Sequence, residues 1–227
     1  RAHHEVLLTE KLAALGHLSA GMAHEIRNPL NSISLFGQVM RSGLENDPEM
    51  QSYSDKIVSE VERIDAILVK LLSTSKRSPF KLSTVQICDI VEKSLQTFNG
   101  QMEVQGVTLR KQLSLNTPSI LADADELEQV FSNLFSNALF EMQQGGTLSV
   151  SLEQDDKDVL ITVSDSGGGI PEEHLNDIFD PFFTTKKRGT GFGLSVVLRI
   201  VKTYSGRIDV KSEPGLGTTF QVWLPLA

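Results

Sequence analysis

The apolar residues of the first third of the chain recur at alternating steps of four and three. Leu8, Leu12, Leu15, Met22, Ile26, Pro29, Ile33, Phe36 and Met40 form one run, with Ser19 in the same register, and Ile57, Val61, Ile64, Leu68 and Leu71 form a second. This is the narrow seam of a coiled-coil-like helix. It predicts one helix over about 5–41, ended by Ser42-Gly43, and another opened by Asn46-Asp47-Pro48 and running to about residue 73. Two helices with stripes this narrow cannot close a core as a lone hairpin. Pairing two antiparallel hairpins into a four-helix bundle buries both stripes, so a homodimer is expected.

His24 lies two residues from both Met22 and Ile26. At about 100° per residue it falls on the side of the helix opposite the seam and faces water. Its neighbours give it a purpose. Glu25 can hold the ring's second nitrogen or accept its proton while the first attacks, and Asn28 stands one turn along the same face. Pro29 removes a backbone donor and crowds the carbonyl one turn back, which loosens the helix beside the histidine. His17 shares this face but is followed by Leu-Ser-Ala-Gly, and reads as ordinary surface.

With 227 residues the chain is one large domain or two small ones. A formal charge of −8 and a pI near 5.1 exclude a basic nucleic-acid grip. The single cysteine, Cys88, excludes an internal disulfide and a cysteine metal cluster, and suits a reducing compartment. No run approaches the roughly 18 to 20 apolar residues that span a bilayer, and no signal peptide is visible. The expectation is a soluble, cytoplasmic piece without direct membrane contact. Its abrupt start inside a helical pattern suggests an upstream sensor domain, and an inner-membrane anchor, in a longer parent.

Ser73-Thr74-Ser75-Lys76-Arg77-Ser78-Pro79 is short and polar, and its proline discourages helix in the preceding residue. It divides the chain into a helical hairpin over 1–75, a linker over 76–80 and a second domain over 81–227. After it the periodicity changes. Strands are predicted near 82–85, 107–113, 120–122, 147–153, 159–164, 207–211 and 219–224, and helices near 87–98, 124–142 and 192–204. Asp123 with Glu126 three residues on is a capping-box pattern for the second of these helices. A mixed sheet covered on one face by helices is an α/β sandwich.

Four segments of this domain carry chemistry. Asn133 and Asn137 are one turn apart on one helix face, and asparagine has poor helix propensity. They are either surface amides or a pair of hard carbonyl ligands that spare a triphosphate any negative neighbour. Asp165-Ser166-Gly167-Gly168-Gly169-Ile170 follows a strand, where a carboxylate can accept an exocyclic amine and glycines let the backbone approach a ring. Ile178-Phe179-Asp180-Pro181-Phe182-Phe183-Thr184-Thr185-Lys186 holds three aromatics that serve either as a core plug or as an exposed surface, and Lys186 opens a basic run with Lys187 and Arg188. Gly189-Thr190-Gly191-Phe192-Gly193-Leu194 opens a helix, whose backbone donors favour an anion. It is neither a Walker loop nor a dinucleotide fingerprint.

In this order the segments resemble the boxes of the two-component sensor histidine kinases, and they cover nearly the whole chain. His24-Glu25-Ile26-Arg27-Asn28-Pro29-Leu30 resembles the H box, the segment of Asn133 and Asn137 the N box, and those beginning at Asp165, Ile178 and Gly189 the G1, F and G2 boxes. Ser166 stands where the family often has Thr or Asn. The chain is similar to the nitrogen-regulation branch of the family. The resemblance implies a dimerisation and histidine-phosphotransfer hairpin followed by an ATP-binding domain of the Bergerat type. His24 is then the phosphoacceptor, Glu25 its base, and Asn28 the residue that orients water for a phosphatase reaction. Asn137 becomes the main Mg²⁺ ligand with Asn133 beside the phosphates, Asp165 the adenine reader flanked by Gly167 and Gly169, and Lys186 a screen for phosphate charge. Gly189, Thr190, Gly191, Gly193 and Leu194 cradle the triphosphate of ATP, with Phe192 in the core. Gly215-Leu216-Gly217-Thr218-Thr219-Phe220 resembles the last shared turn, where a threonine hydroxyl, that of Thr218, reaches the adenine-side carboxylate. The implied activity is autophosphorylation of His24 from Mg-ATP and transfer to an aspartate on a response regulator. Gyrases, heat-shock chaperones and mismatch-repair proteins share the ATP fold but place a glutamate base near the position of Asn133.

Overall fold

The computed structural model describes residues 30–31, 33–38, 40, 49–59, 61, 64, 81–113, 119–154, 157–181, 183–186 and 191–226. His24, Glu25, Asn28, Gly189 and Thr190 lie outside the described residues. The chain separates into two compact units, 1–78 with 185–192, and 79–184 with 193–227.

The described residues within 30–40 and 49–64 are helical. Leu30 and Val61 are buried against each other, with Ile64 packed beside them. The Ser54 hydroxyl donates to the carbonyl of Gly37. A Cβ on Gly37 would lie 3.0 Å from Val58 Cγ2, so the missing side chain is what lets the two helical stretches come this close. Of the seam read from sequence, Val61 and Ile64 take part in this contact, and Leu8 to Pro29, Leu68 and Leu71 lie outside the described residues. Ile33, Phe36, Met40 and Ile57 are exposed together with Leu35, Met50 and Tyr53, and Phe36 keeps 65% of its surface in water.

The second unit runs β1 (Ser83–Gln86), α1 (Ile87–Gln105), β2 (Val107–Gln112), β3 (Ser119–Ala122), α2 (Ala124–Glu141), β4 (Gly146–Gln154), β5 (Asp158–Asp165), a 3₁₀ turn (Glu172–His174), α3 (Gly193–Thr203), β6 (Arg207–Glu213) and β7 (Gly217–Pro225). Five strands form one sheet in the order β2-β4-β5-β7-β6. β2 joins β4 in parallel and the other pairs are antiparallel. β1 and β3 make a separate two-stranded antiparallel ladder.

Alternation along the strands sends one set of side chains inward. Leu148, Val150 and Leu152 of β4, Val159, Ile161 and Val163 of β5, and Phe220, Val222 and Leu224 of β7 are buried. The same core takes Val91 and Leu95 of α1, Phe131 and Phe135 of α2, and Val197 and Ile200 of α3. Phe135 stacks near Phe131 and meets Phe98 edge-on, both at 6.2 Å between centroids. Each such side chain stabilises the fold by roughly 1.5–3 kcal/mol through burial. The opposite face carries half-buried hydroxyls and amides, among them Ser149, Ser151, Thr162, Ser164 and Gln221. The sheet's two borders are charged, with Arg110 and Lys111 exposed on β2 and Arg207, Asp209, Lys211 and Glu213 exposed on β6.

Two helix ends differ from expectation or repay a close look. α1 passes through Asn99-Gly100 and stops at Gly106, whose φ of 70° and N–H bonds to Glu103 and Met102 carbonyls form a left-handed C-cap. A side chain at Gly100 would meet nothing within 4 Å, so this solvent-facing glycine does not break the helix. After α3 the left-handed position falls on Ser205, at φ 56°. The next residue, Gly206, is committed elsewhere: a Cβ there would lie 2.4 Å from the Trp223 carbonyl.

Candidate functional site

Asp165 is the last residue of β5 and pairs in register with Leu148 of β4 and Thr218 of β7. This puts its carboxylate at the end of the sheet. Oδ1 accepts the N–H of Gly167 at 2.8 Å, closing a local turn, and the N–H of Thr218 at 3.3 Å. The Thr218 hydroxyl, expected to reach this carboxylate, instead lies 2.9 Å from Ser212 Oγ. Ser212 also accepts the Ile170 N–H at 2.7 Å and donates to the Gly217 carbonyl at 2.8 Å, so it clamps the glycine loop to the β6–β7 turn. The Gly215 N–H to Gly168 carbonyl bond, 2.8 Å, completes the clamp. Nothing in the sequence motifs marked Ser212.

Glycine is required here by space. A Cβ on Gly217, at φ 104°, would stand 1.9 Å from the Asp165 carbonyl oxygen, and one on Gly169, at φ 71°, 2.1 Å from the Glu213 carbonyl oxygen. Ser166 holds the other side: its Oγ accepts the Thr147 N–H at 2.9 Å.

α2 crosses this end of the sheet with Asn133, Asn137 and Glu141 on successive turns of one face. Glu141 was not singled out by the motifs, although its spacing was readable. Its Cβ lies 2.6 Å from where a Gly167 side chain would begin. At the other end of the face, Asn133 Nδ2 donates to the Gln129 carbonyl at 2.9 Å, which turns Oδ1 outward. That oxygen lies 3.2 Å from where a Cβ of Gly193, the first residue of α3, would stand. Asn133, Asn137, Asp165, Gly167, Gly169, Gly193 and Thr218 are therefore gathered on one side of the α/β unit. Asn137 is half-buried. Leu194 packs against the core through its side chain.

The remaining candidate residues are placed one by one. Phe179 and Phe183 pack on the core beside buried Ile178, so two of the three aromatics are a plug; Phe182 lies outside the described residues. His174 sits 5.4 Å from Phe183, ring to ring. Lys186 is half-buried, Gly191 has φ 70°, and Phe192 is buried.

The cap of α2 carries a variation. Asp123 Oδ1 accepts the Asp125 N–H at 3.0 Å and Oδ2 that of Lys81 at 3.1 Å. In an ordinary capping box Glu126 would reach back to the Asp123 N–H. Here the Tyr204 hydroxyl stands between them, accepting from Asp123 N at 3.0 Å and donating to Glu126 Oε2 at 2.7 Å.

A carboxylate fixed at a strand end, a glycine loop clamped beside it, and an asparagine face leading to a glycine-opened helix define an ATPase domain of the type shared by histidine kinases, gyrase B and HSP90. The family described as "Histidine kinase-, DNA gyrase B-, and HSP90-like ATPase" matches residues 122–227, and "His Kinase A (phospho-acceptor) domain" matches residues 14–79. The chain belongs to the sensor histidine kinases. It is 39% identical over 231 residues to the sensor histidine kinase ZraS of Salmonella typhimurium, covering 100% of this chain and 50% of that protein. It is 36% identical over 219 residues to sporulation kinase C of Bacillus subtilis, covering 96% and 50%. The chain thus spans about half the length of the curated relatives it matches. Among solved structures it is similar to the histidine kinase ThkA in complex with response regulator protein TrrA, with a TM-score of 0.70, 26% identity, and coverage of 100% of this chain and 66% of that one. No helix among the described residues is long and apolar enough to cross a membrane.

Proposed function

We propose that this chain is a sensor histidine kinase core that phosphorylates His24 from Mg-ATP and passes the phosphoryl group to an aspartate of a response regulator. On this reading 1–75 form the dimerising phosphotransfer hairpin, 76–80 the linker and 81–227 the ATP-binding domain. The observation that carries the reading is the arrangement around Asp165. Its carboxylate is held by the Gly167 and Thr218 N–H groups at one end of a face that runs through Asn137 to Asn133 and Gly193.

Asp165 accepts the exocyclic amine of adenine, and the absence of side chains at Gly167 and Gly169 lets the ring lie against the backbone. The start of α3 offers backbone donors to the triphosphate. The amide oxygens of Asn137 and Asn133 suit Mg²⁺, a hard cation that keeps several waters. When bound, the ion neutralises charge on the triphosphate. His24 attacks the γ-phosphorus in line: the N–P bond forms, the bond to the ADP oxygen breaks, and Glu25 takes the imidazole proton. The phosphoryl group then leaves nitrogen for the regulator's aspartate. Asn28 orients water in the reverse duty of dephosphorylating that regulator, and Asn28→Ala should lower phosphatase turnover while autophosphorylation persists. By resemblance, Lys186 screens phosphate charge and Gly189, Thr190, Gly191, Gly193 and Leu194 cradle the triphosphate.

The exposed apolar set Ile33, Phe36, Met40, Met50, Tyr53 and Ile57 supports pairing of two hairpins. The reaction belongs in the cytoplasm, where ATP and a reduced Cys88 coexist.

The test is incubation with γ-labelled ATP and Mg²⁺ followed by acid or base treatment. Acid-labile, base-stable label that is absent in His24→Gln is expected. Label that survives acid or persists in His24→Gln overturns the reading, and free phosphate alone points to a hydrolysing relative.

A further inference from the structure

Beside the apolar core they share, α2 and α3 meet through polar side chains at two separated places. Near the middle of α2, Asn133 Oδ1 faces Gly193, the first residue of α3. Two turns earlier, Glu126 of α2 meets the far end of α3, taking the Tyr204 hydroxyl on Oε2 at 2.7 Å and lying 3.7 Å from Arg199 Nη1 through Oε1. The helices are therefore antiparallel and pinned at both ends of their contact. Apolar packing sets the approach of the two helices, and the two polar contacts refine their register.

The second pin is polar and specific. Tyr204 Oη bridges the Asp123 N–H and the Glu126 carboxylate, while the Asp123 carboxylate holds the Asp125 and Lys81 N–H groups. The Tyr204 ring packs against the core, so the hydroxyl has little freedom. Burial raises the phenol's pKa above its ordinary value of 10.0; the Asp123 N–H offsets this in part, and the bond to Glu126 raises it again. It is a donor at every pH at which the protein works.

We infer that Tyr204 is a positioning residue for nucleotide binding: its hydroxyl locks the start of α2 to the end of α3, and so holds Asn133 and Asn137 in register with the glycine-opened start of α3. This rests on the reading that these asparagines and that helix start take Mg-ATP. It concerns the metal and phosphate end of the site. Asp165, held by the sheet and its own glycine loop, should be indifferent to it.

The experiment uses the whole 227-residue chain and calorimetric titration with ATP at a series of Mg²⁺ concentrations. Tyr204→Phe keeps the packed ring and removes the bridge. It is expected to raise the Mg²⁺ concentration for half-maximal ATP binding by roughly threefold or more, an effect of the size a lost charge-linked hydrogen bond can produce. Ile200→Val removes a buried methylene from α3 without touching the bridge, and serves as a control of comparable stability loss. It should leave the Mg²⁺ requirement in place. Glu126→Gln, which preserves Tyr204 and its packing but weakens the acceptor, should move the requirement in the same direction by a smaller factor, and the double variant should show less than the sum of the two effects. If Tyr204→Phe and Glu126→Gln lose only thermal stability, as Ile200→Val does, the inference is overturned. If the unaltered chain binds no ATP, the kinase reading itself has failed, which is a different result.

Discussion

The helical and the α/β units solve the same problem in opposite ways. In the α/β unit the strands and helices close one large shared core, and the large apolar side chains left in water, Leu82, Val104, Leu121, Phe140 and Leu216, are few beside it. In the hairpin, Leu30 and Val61 are the buried apolar side chains among the described residues, while seven large apolar side chains from Ile33 to Ile57 stay exposed. The hairpin has apolar surface left over, which a second hairpin would cover. On the proposed reading the nucleotide site stands on the α/β unit and the phosphoacceptor on the hairpin.

Five measurements break or sharpen that contrast. Gly217→Ala forces a Cβ into the Asp165 carbonyl at a positive φ; it should cost about 3 kcal/mol or more by chemical denaturation. Normal melting would show that the floor of the site is softer than its geometry. Asp165→Asn keeps an oxygen for the Gly167 and Thr218 N–H groups but replaces an acceptor of the adenine amine, and should weaken ATP roughly a hundredfold with little change in melting. Phe36→Glu places a charge in the exposed face of the hairpin. Self-association should weaken by about thirtyfold in sedimentation equilibrium while ATP affinity is kept, because only one unit depends on copy number. Loss of ATP binding in that variant would merge the two units energetically and end the contrast.

Smaller effects probe the α/β unit's local compromises. Ser205→Gly relieves the left-handed φ of 56° and should raise stability by about 1 kcal/mol. The last is a pH effect. Because the Tyr204 pKa is raised above 10.0 in the fold, its contribution is fully present below pH 10.0 and is lost as pH rises through the higher folded value. The melting difference between the unaltered chain and Tyr204→Phe should therefore narrow only in strongly alkaline buffer.

Much of this was legible in advance because periodicity reports burial. The strands with strict alternation, such as Leu148 to Leu152 and Val159 to Val163, and the cap at Asp123 needed no structure to be found. What escaped depended on partners distant in sequence. The hairpin's inner contact uses Gly37 and Ser54, which no hydrophobicity pattern marks, because close approach there is made by a missing side chain and a hydroxyl. Asn99-Gly100 suggested a helix end that the structure defers to Gly106, since a solvent-facing glycine weakens a helix without stopping it. β1 and β3 look like members of the main sheet in sequence, and only tertiary pairing separates them. Tyr204 stands 78 residues from Glu126, beyond any local signal. In the site, Asp165, Asn133 and Gly193 were readable as motifs; Ser212, which clamps the glycine loop beside Asp165 from β6, was not.

The charged borders of the five-stranded sheet bear on how copies of this protein can meet. A bare strand margin is an open template for another chain's backbone, and the alternating Arg207, Asp209, Lys211 and Glu213 on one side and Arg110 with Lys111 on the other make such lateral growth unfavourable. The molecule thus discourages lateral growth through its α/β unit, which is consistent with the proposed pairing through the helical hairpin.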